Sequence, residues 1–492
     1  MILAIDLGTT GVRALVFDEG LGVVGSAYSE FAQRFPRPGW VEHDPDEIWS
    51  VAQALAGEAL RGASCPPGGL QAVGVTNQRE TVCVWDPVSG EPLHHAIVWQ
   101  DRRTAGRCDQ LREAGVEPLV RERTGLVLDP YFSATKIAWL LEHVEGLRER
   151  AQSGGAVFGT IDSWVIFKLT GELVTDPSNA SRTMLYDIAH GRWDRELAEL
   201  LGAGDAVLPE VRPSSGVVAT TRAGVLPGQR PPVAGVAGDQ QAALFGQACL
   251  EPGLGKSTYG TGSFILLNTG SAPPEPVDGL LGTVAWGIGQ QLTYAREAAV
   301  FVTGAAVQWL RDGLGIIDTA ADTEALAGSI TGNGGVYFVP ALTGLGSPHW
   351  DPLARGTIVG LTRGSTRAHL VRATLESIAY QVVDAVRAIE RASGISLSEL
   401  RVDGGATANA WLMQFQADVL GVPVHVAEVA ETTALGAACL AGVGVGMWTL
   451  ADVRERWRAA RRFEPAMAVD EREALLEGWR QALGRTLSSP RR

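Results

Sequence analysis

The feature that most constrains this chain occurs in it twice. Residues 4–18, "AIDLGTTGVRALVFD", and residues 257–268, "STYGTGSFILLN", each place a Gly-Thr turn between β-prone runs. A glycine-bearing turn between two apolar segments reads as a hairpin. Two such hairpins about half a chain apart point to a duplicated architecture. If the halves share a fold, their turns face each other across a cleft and close on one ligand. The length of 492 residues fits, because it exceeds what one hydrophobic core organises and implies two or three domains.

Strand and helix signals alternate along the chain, which indicates an α/β architecture. Ile2 to Ile5 and Ala14 to Phe17 read as the first two strands. "HDPDEIWSVAQALAGEALRG" reads as a helix, with Asp44 as N-cap, Pro45 at the first helical position and Glu47 completing a capping box. Ile48, Val51, Leu55 and Ala59 then share its apolar face, and Gly62 ends it. A longer helix follows Thr366, carries Leu370, Thr374, Ile378, Val382, Val386 and Ile389 at helical spacing, and stops at Gly394. Pro/Gly-rich stretches punctuate residues 203–232 and 270–282, and the final "SSPRR" reads as a frayed tail.

Composition narrows the class. Apolar residues make up 46% and charged residues 20%, the balance of a globular protein. A net charge of −14 argues against a general nucleic-acid surface but leaves room for a local basic pocket. No run of about twenty residues is continuously apolar, so no membrane span is expected. The N-terminus opens directly on a strand without the marks of a signal peptide. Five cysteines without C-x-x-C spacing fit buried thiols in a reducing compartment, and a cytoplasmic location is expected.

The first turn carries chemistry. Gly8 and Gly11 let backbone approach a ligand, while Thr9 and Thr10 add hydroxyls beside free N–H groups, a nest suited to phosphate. Asp6 can hold the hydration shell of Mg²⁺, and Arg13 can answer negative charge. A plain hairpin is the competing explanation. "VTNQRETVCVW" sets Arg79 beside Glu80, and neighbours on a strand reach one ligand only at its end or at a bulge. A surface ion pair is the commoner fate of such neighbours. "VAGVAGDQQAALFG" places Asp239 and Gln240 at the carboxyl end of a buried strand, where ligands of open α/β sheets bind and where an aspartate can equally cap the following helix. "LRVDGGATANAWLMQFQADVLG" repeats strand, glycine turn and helix, with Asn409 available for hydrogen bonding. These pieces fit a nucleotide held between two lobes with a carboxylate near its terminal phosphate.

From residue 1 to about 450, and in order, "GWVEHDPDEIW", "TNQRETVCVWD", "AIVWQDRRT", "FGTIDSWVIFKLTG", "SNASRTMLYDI", "AGDQQAALFGQ", "STYGTGSF", "ARGTIVGLTRG" and "ETTALGAA" resemble the glycerol kinases of the FGGY carbohydrate kinase family. The resemblance implies two actin-like, ribonuclease H-like domains, residues 1–245 and 246–492, around an interdomain cleft. It also implies ATP and Mg²⁺ as cofactors, glycerol as substrate and a homo-oligomer. Thr9, Thr10, Gly11, Arg13, Thr261, Gly304, Gln308, Gly405 and Asn409 would then hold the nucleotide. Arg79, Glu80, Tyr131, Asp239 and Gln240 would bind glycerol, with Trp99 and Phe264 against its carbons. Asp239 would take the hydroxyl proton, and Asp6 would organise the magnesium shell through water. A related kinase of another polyol or sugar, or a non-catalytic actin-like protein, are the competing readings. The chain departs from the family's first loop at Leu7, Gly11 and Val12, and Gly11 lacks a hydroxyl that relatives carry.

Overall fold

In the computed structural model, which describes residues 1–488, the two hairpins open the two halves of one thirteen-stranded sheet. In the first half Val23–Glu30, Gly11–Phe17 and Ile2–Leu7 run antiparallel. Ala72–Asn77 and then Pro232–Gly238 join parallel, and Ser215–Thr220 closes antiparallel. The second half repeats the order. Gln291–Val300, Ser263–Gly270 and Leu254–Tyr259 are antiparallel, Glu399–Asp403 and Val424–Ala427 follow in parallel, and Ala459–Phe463 closes antiparallel. Three antiparallel strands followed by two parallel ones, twice over, is the duplicated actin-like plan. Each half has its own apolar core, one around Leu3, Ile5, Val73 and Val75, the other around Ile265, Leu375, Ile378 and Val402.

In each half a helix follows the second of the two parallel strands. These helices, Asp239–Gly246 and Thr432–Gly444, pack on one another at the junction of the halves. The contact is so close that a Cβ on Gly436 would stand 1.8 Å from the Ala242 carbonyl oxygen. Only glycine admits that approach.

The local expectations meet the structure with instructive differences. Both first strands run to the turn, so Gly11 is already paired with Glu30 and only Gly8 to Thr10 remain outside the ladder. The helix Pro45–Gly62 is capped by Asp44, whose carboxylate accepts from the N–H groups of Asp46 and Glu47. Glu47 does not complete a capping box. Its carboxylate instead accepts the N–H of Ala32 at 3.1 Å, because the strand ahead of the helix brings an unpaired donor within reach. Val51 is only partly buried on that helix, whereas Ile48, Leu55 and Ala59 face the core. The long helix spans Arg367–Ser393, capped by Thr366 and ended by a left-handed Gly394. The Pro/Gly-rich 203–232 stretch nonetheless contributes the sheet strand Ser215–Thr220. Of the final "SSPRR", Ser488 is tied to the Asp351 carboxylate, and residues 489–492 lie outside the described residues. All five cysteines are free thiols, four of them buried. Among the described residues no helix is long and apolar enough to cross a membrane.

Candidate active site

Register brings the site together. Leu7 pairs with Asn77, and Asn77 with Gly238, so Gly8, Gln78 and Asp239 leave the sheet side by side at the ends of three neighbouring strands. In the second half Thr258 pairs with Asp403, which sets the turn at Gly260 beside Gly404 and Gly405. Both sets of strand ends therefore present backbone turns, the position where α/β sheets receive ligands.

Arg79 and Glu80 are not a surface ion pair: their side chains are 2% and 1% exposed. They follow the end of Ala72–Asn77, and Glu80 has φ +62°, so both side chains turn to the same place. A non-glycine residue in that region stores strain that its surroundings must hold. Two residues that sequence reasoning did not single out hold it. Arg182 Nε donates to Glu80 Oε1 at 2.7 Å, and its Nη2 to Glu297 Oε1 at 3.1 Å. Arg79 donates from both Nη atoms to Glu297, at 2.5 and 3.1 Å, and its Nε lies 3.2 Å from Asp239 Oδ1. Burial works against the Glu297 charge, but the Arg182 and Arg79 guanidiniums overcome it and hold the carboxyl down at about 2. Glu297 belongs to the second half, so this cluster crosses the junction. Its sequence signal was a charged residue inside the apolar strand Gln291–Val300, and Arg182 sat unremarked within "SNASRTMLYDI".

Aromatic rings wall the cluster. Trp99 and Tyr131 meet edge to face with centroids 5.5 Å apart, and the Arg182 guanidinium lies 5.9 Å from the Tyr131 ring. Phe264 closes the opposite side, 6.0 Å from the Arg79 guanidinium. Asp239 is the first residue of its helix, behind Gly238 as N-cap, so the capping role does not fall to it. Its Oδ1 accepts the Gln240 N–H at 2.7 Å, and among the described residues no hydrogen bond reaches Oδ2. Gln240 accepts from Lys256 Nζ, a third unforeseen member of the site, which also donates to Thr258 Oγ1 at 2.9 Å. Burial lowers the Lys256 ammonium to about 8.

The first turn faces this cluster. Thr9 Oγ1 accepts from Trp99 Nε1 at 3.0 Å. Burial, with the neighbouring Asp239 charge adding to it, raises the Asp6 carboxyl to about 7. Neighbouring carboxylates of this kind suit a hard divalent cation bound through water. Among the described residues no cluster of three or more metal-binding side chains exists. Arg13 pairs with Glu431 of the second half and lies 5.1 Å from the Tyr28 ring. The glycine at position 11 also finds its reason here. A Cβ there would stand 2.7 Å from Ser29 O and 2.9 Å from the Tyr28 hydroxyl, so a side chain does not fit.

A cavity of about 440 Å³ opens beyond the second turn. Gly304, Gln308, Gly405 and Asn409 all line it, over an apolar floor of Val307, Leu375, Ile378 and Leu412. That mixture suits a flat heterocycle. A Cβ at Gly405 would meet nothing within 4 Å, so packing does not require glycine there. Asn409 caps the helix Ala410–Leu420 through Oδ1 and donates from Nδ2 to Thr323 at 3.1 Å. Thr261 stands exposed at the tip of the second turn, next to Gly260 of this cavity's lining.

Two actin-like halves, with a buried charged cluster on one side and a partly apolar cavity on the other, have the architecture of a phosphotransferase. Models of the FGGY family of carbohydrate kinases match residues 1–246 with the N-terminal domain and residues 255–445 with the C-terminal domain, and the chain belongs to that family. It is 55% identical over 494 residues to glycerol kinase 2 of Thermotoga maritima, covering 100% of this chain and 99% of the relative. It is 56% identical over 489 residues to the glycerol kinase of Dechloromonas aromatica, covering 99% and 97%. The crystal structure of Plasmodium falciparum glycerol kinase with ADP superposes with a TM-score of 0.94 at 35% identity, covering 99% of this chain and 98% of that one.

Proposed function

We propose that this chain transfers the γ-phosphoryl group of ATP to a terminal hydroxyl of glycerol, giving sn-glycerol 3-phosphate and ADP in the cytoplasm. The observation that carries the reading is the buried set Arg79, Glu80, Arg182 and Glu297 opening onto Asp239. A small triol both donates and accepts at every carbon, and a carboxylate beside a guanidinium satisfies both functions. Trp99, Tyr131 and Phe264 supply the apolar wall for its carbons. We assign residues 1–245 mainly to the acceptor and 246–492 mainly to the nucleotide, with Glu297 reaching across.

Phosphoryl transfer asks a protein for alignment, charge stabilisation and a positioned base. Asp239 is the base: Arg79 and the Gln240 N–H fix Oδ1, and Oδ2 remains for the proton leaving the attacking hydroxyl. Thr9, Thr10, Gly11 and Thr261 offer hydroxyl and N–H donors to the phosphates, and Arg13 adds charge once it exchanges Glu431 for them. Gly304, Gln308, Gly405 and Asn409 hold the nucleoside. Asp6 would hold Mg²⁺ through water, where the ion neutralises phosphate charge.

An ADP-release assay across glycerol, dihydroxyacetone, 1,2-propanediol and five-carbon sugars tests the acceptor. Glycerol should lead. 1,2-Propanediol, which lacks one terminal hydroxyl, should be rejected by up to ~10⁴-fold in kcat/KM, because it leaves a desolvated charged group unpaired. Glu80→Ala should lose much of that ratio by slowing glycerol. A sugar outrunning glycerol makes the chain a kinase of that sugar, and ADP release with no acceptor dependence returns it to the non-catalytic or ATPase class.

A further inference from the structure

The buried imidazole of His43 belongs to neither ligand pocket, yet it ends up joined to both. His43 is fully buried on the short strand Glu42–His43. Its Nε2 lies 2.7 Å from Gln33 Oε1 and its Nδ1 lies 3.3 Å from Gln78 Nε2. The two amides then reach the first turn: Gln33 Nε2 donates to Thr9 O at 2.9 Å, and Gln78 Nε2 donates to Gly8 O at 3.0 Å. Each carbonyl must receive a donor, which fixes how each amide is oriented. Gln33 therefore shows its oxygen to His43, and Gln78 its nitrogen. Only one tautomer satisfies both, with the proton on Nε2 and the lone pair on Nδ1.

The chain of donors continues in one direction. Trp99 N–H donates to Thr81 Oγ1 at 3.2 Å, and Thr81 Oγ1 donates to Gln78 Oε1 at 2.9 Å. It passes through Gln78, His43 and Gln33 to the Thr9 carbonyl. The Trp99 indole separately donates to the Thr9 hydroxyl, so the relay begins and ends on the same two residues. One of them walls the acceptor pocket and the other belongs to the phosphate turn. Holding the Gly8 and Thr9 carbonyls fixes the turn's peptide planes, and with them the direction of its N–H groups.

We infer that His43 is a positioning residue, which through Gln33 and Gln78 sets the aim of the phosphate turn and ties it to the Trp99 wall. The inference rests on the function proposed above. Burial lowers the His43 imidazole to about 4, so the neutral form the relay needs persists through neutral pH. Loss of the imidazole leaves buried amide groups unpaired and the turn's carbonyls free to rotate toward phosphate.

The test compares ADP affinity by calorimetry, glycerol affinity without nucleotide, and thermal midpoint. His43→Ala should weaken ADP about tenfold, the scale of one or two misaimed hydrogen bonds, and leave glycerol within about threefold. His43→Gln should restore ADP to near the parent value, since its amide can donate toward Gln33 and accept from Gln78. An unchanged ADP affinity in His43→Ala overturns the inference. So does a His43→Gln protein as stable as the parent that binds ADP no better than His43→Ala. If His43→Ala fails to fold, Gln33→Met, at a half-buried position, cuts the same relay and should weaken ADP severalfold; normal ADP binding there overturns the inference. A parent chain that binds ADP but ignores glycerol sinks the acceptor assignment alone, and the ADP comparison still decides this one.

Discussion

The two hairpin turns share one scaffold and opposite chemistry. Each follows a six-residue strand, Ile2–Leu7 in one half and Leu254–Tyr259 in the other. The residue before the last is Asp6 in the first and Thr258 in the second, and Lys256 bonds to Thr258 where the first half has only Ala4 two residues before its acid. Both turns have their carbonyls tied back, but by different means. Side-chain amides hold Gly8 and Thr9. The start of the helix Gly304–Gln308 holds the second turn, with Thr303 and Gly304 N–H groups on Thr261 O and Gly260 O, each at 3.0 Å. A duplicated backbone thus supplies two such turns, while side chains decide that one lies beside Asp6 and the Arg79–Glu80 cluster and the other beside the 440 Å³ cavity.

Substitutions in the two halves should therefore separate by ligand. The largest effect is expected where they meet: Asp239→Asn should keep most glycerol affinity and lose at least ~10²-fold in turnover, the lower range for a general base. Near-normal kcat at saturating substrates would remove Asp239 from that role and blur the division of labour. Next comes the second half alone. Gly405→Ala meets no protein atom, so its thermal midpoint should stay put while KM for ATP rises about tenfold and glycerol binding is untouched. A shift in glycerol affinity instead would break the comparison.

The smallest effect concerns the acid that only the first half has. Asp6 keeps its proton up to about pH 7 when folded, whereas an unfolded chain releases it near the usual value of 3.8. The unfolded state then binds fewer protons across that interval, so folding stability falls as pH rises from about 4 to 7. Asp6→Asn removes the penalty. Without nucleotide its thermal midpoint should exceed the parent's by a few degrees at pH 8, at roughly 1 °C per kcal/mol for a chain of this length, and by less at pH 5. Equal gains at both values would show that Asp6 carries no such burden.

Much of this was legible in the residues. The hairpins, the cap at Asp44, the long helix from Thr366 to Gly394 and the placement of Asp239 at a strand end all follow from local rules that the structure keeps. The duplication showed in one short motif, because topology repeats while side chains diverge. What local reading could not supply were partners distant in sequence. Arg79 looked like half of a surface pair because its true partner, Glu297, lies 218 residues away. Glu47 left its expected box for Ala32, since capping competes with any donor the preceding strand delivers. Gly11 read only as a missing hydroxyl at the first loop until Tyr28, across the ladder, accounted for the absent side chain.

The charge cluster across the junction bears on how this gene can be cut. A fragment ending near residue 246 would retain Arg79 and Arg182 and surrender Glu297, and its complement would keep the carboxylate without either guanidinium. Breaking a buried pair by removing one partner costs on the order of 3–5 kcal/mol, a large share of any domain's stability. The halves look like two modules on the sequence map, but each is electrically unfinished without the other. Split reporters, domain swaps between relatives and single-half expression would all have to carry that missing charge with them.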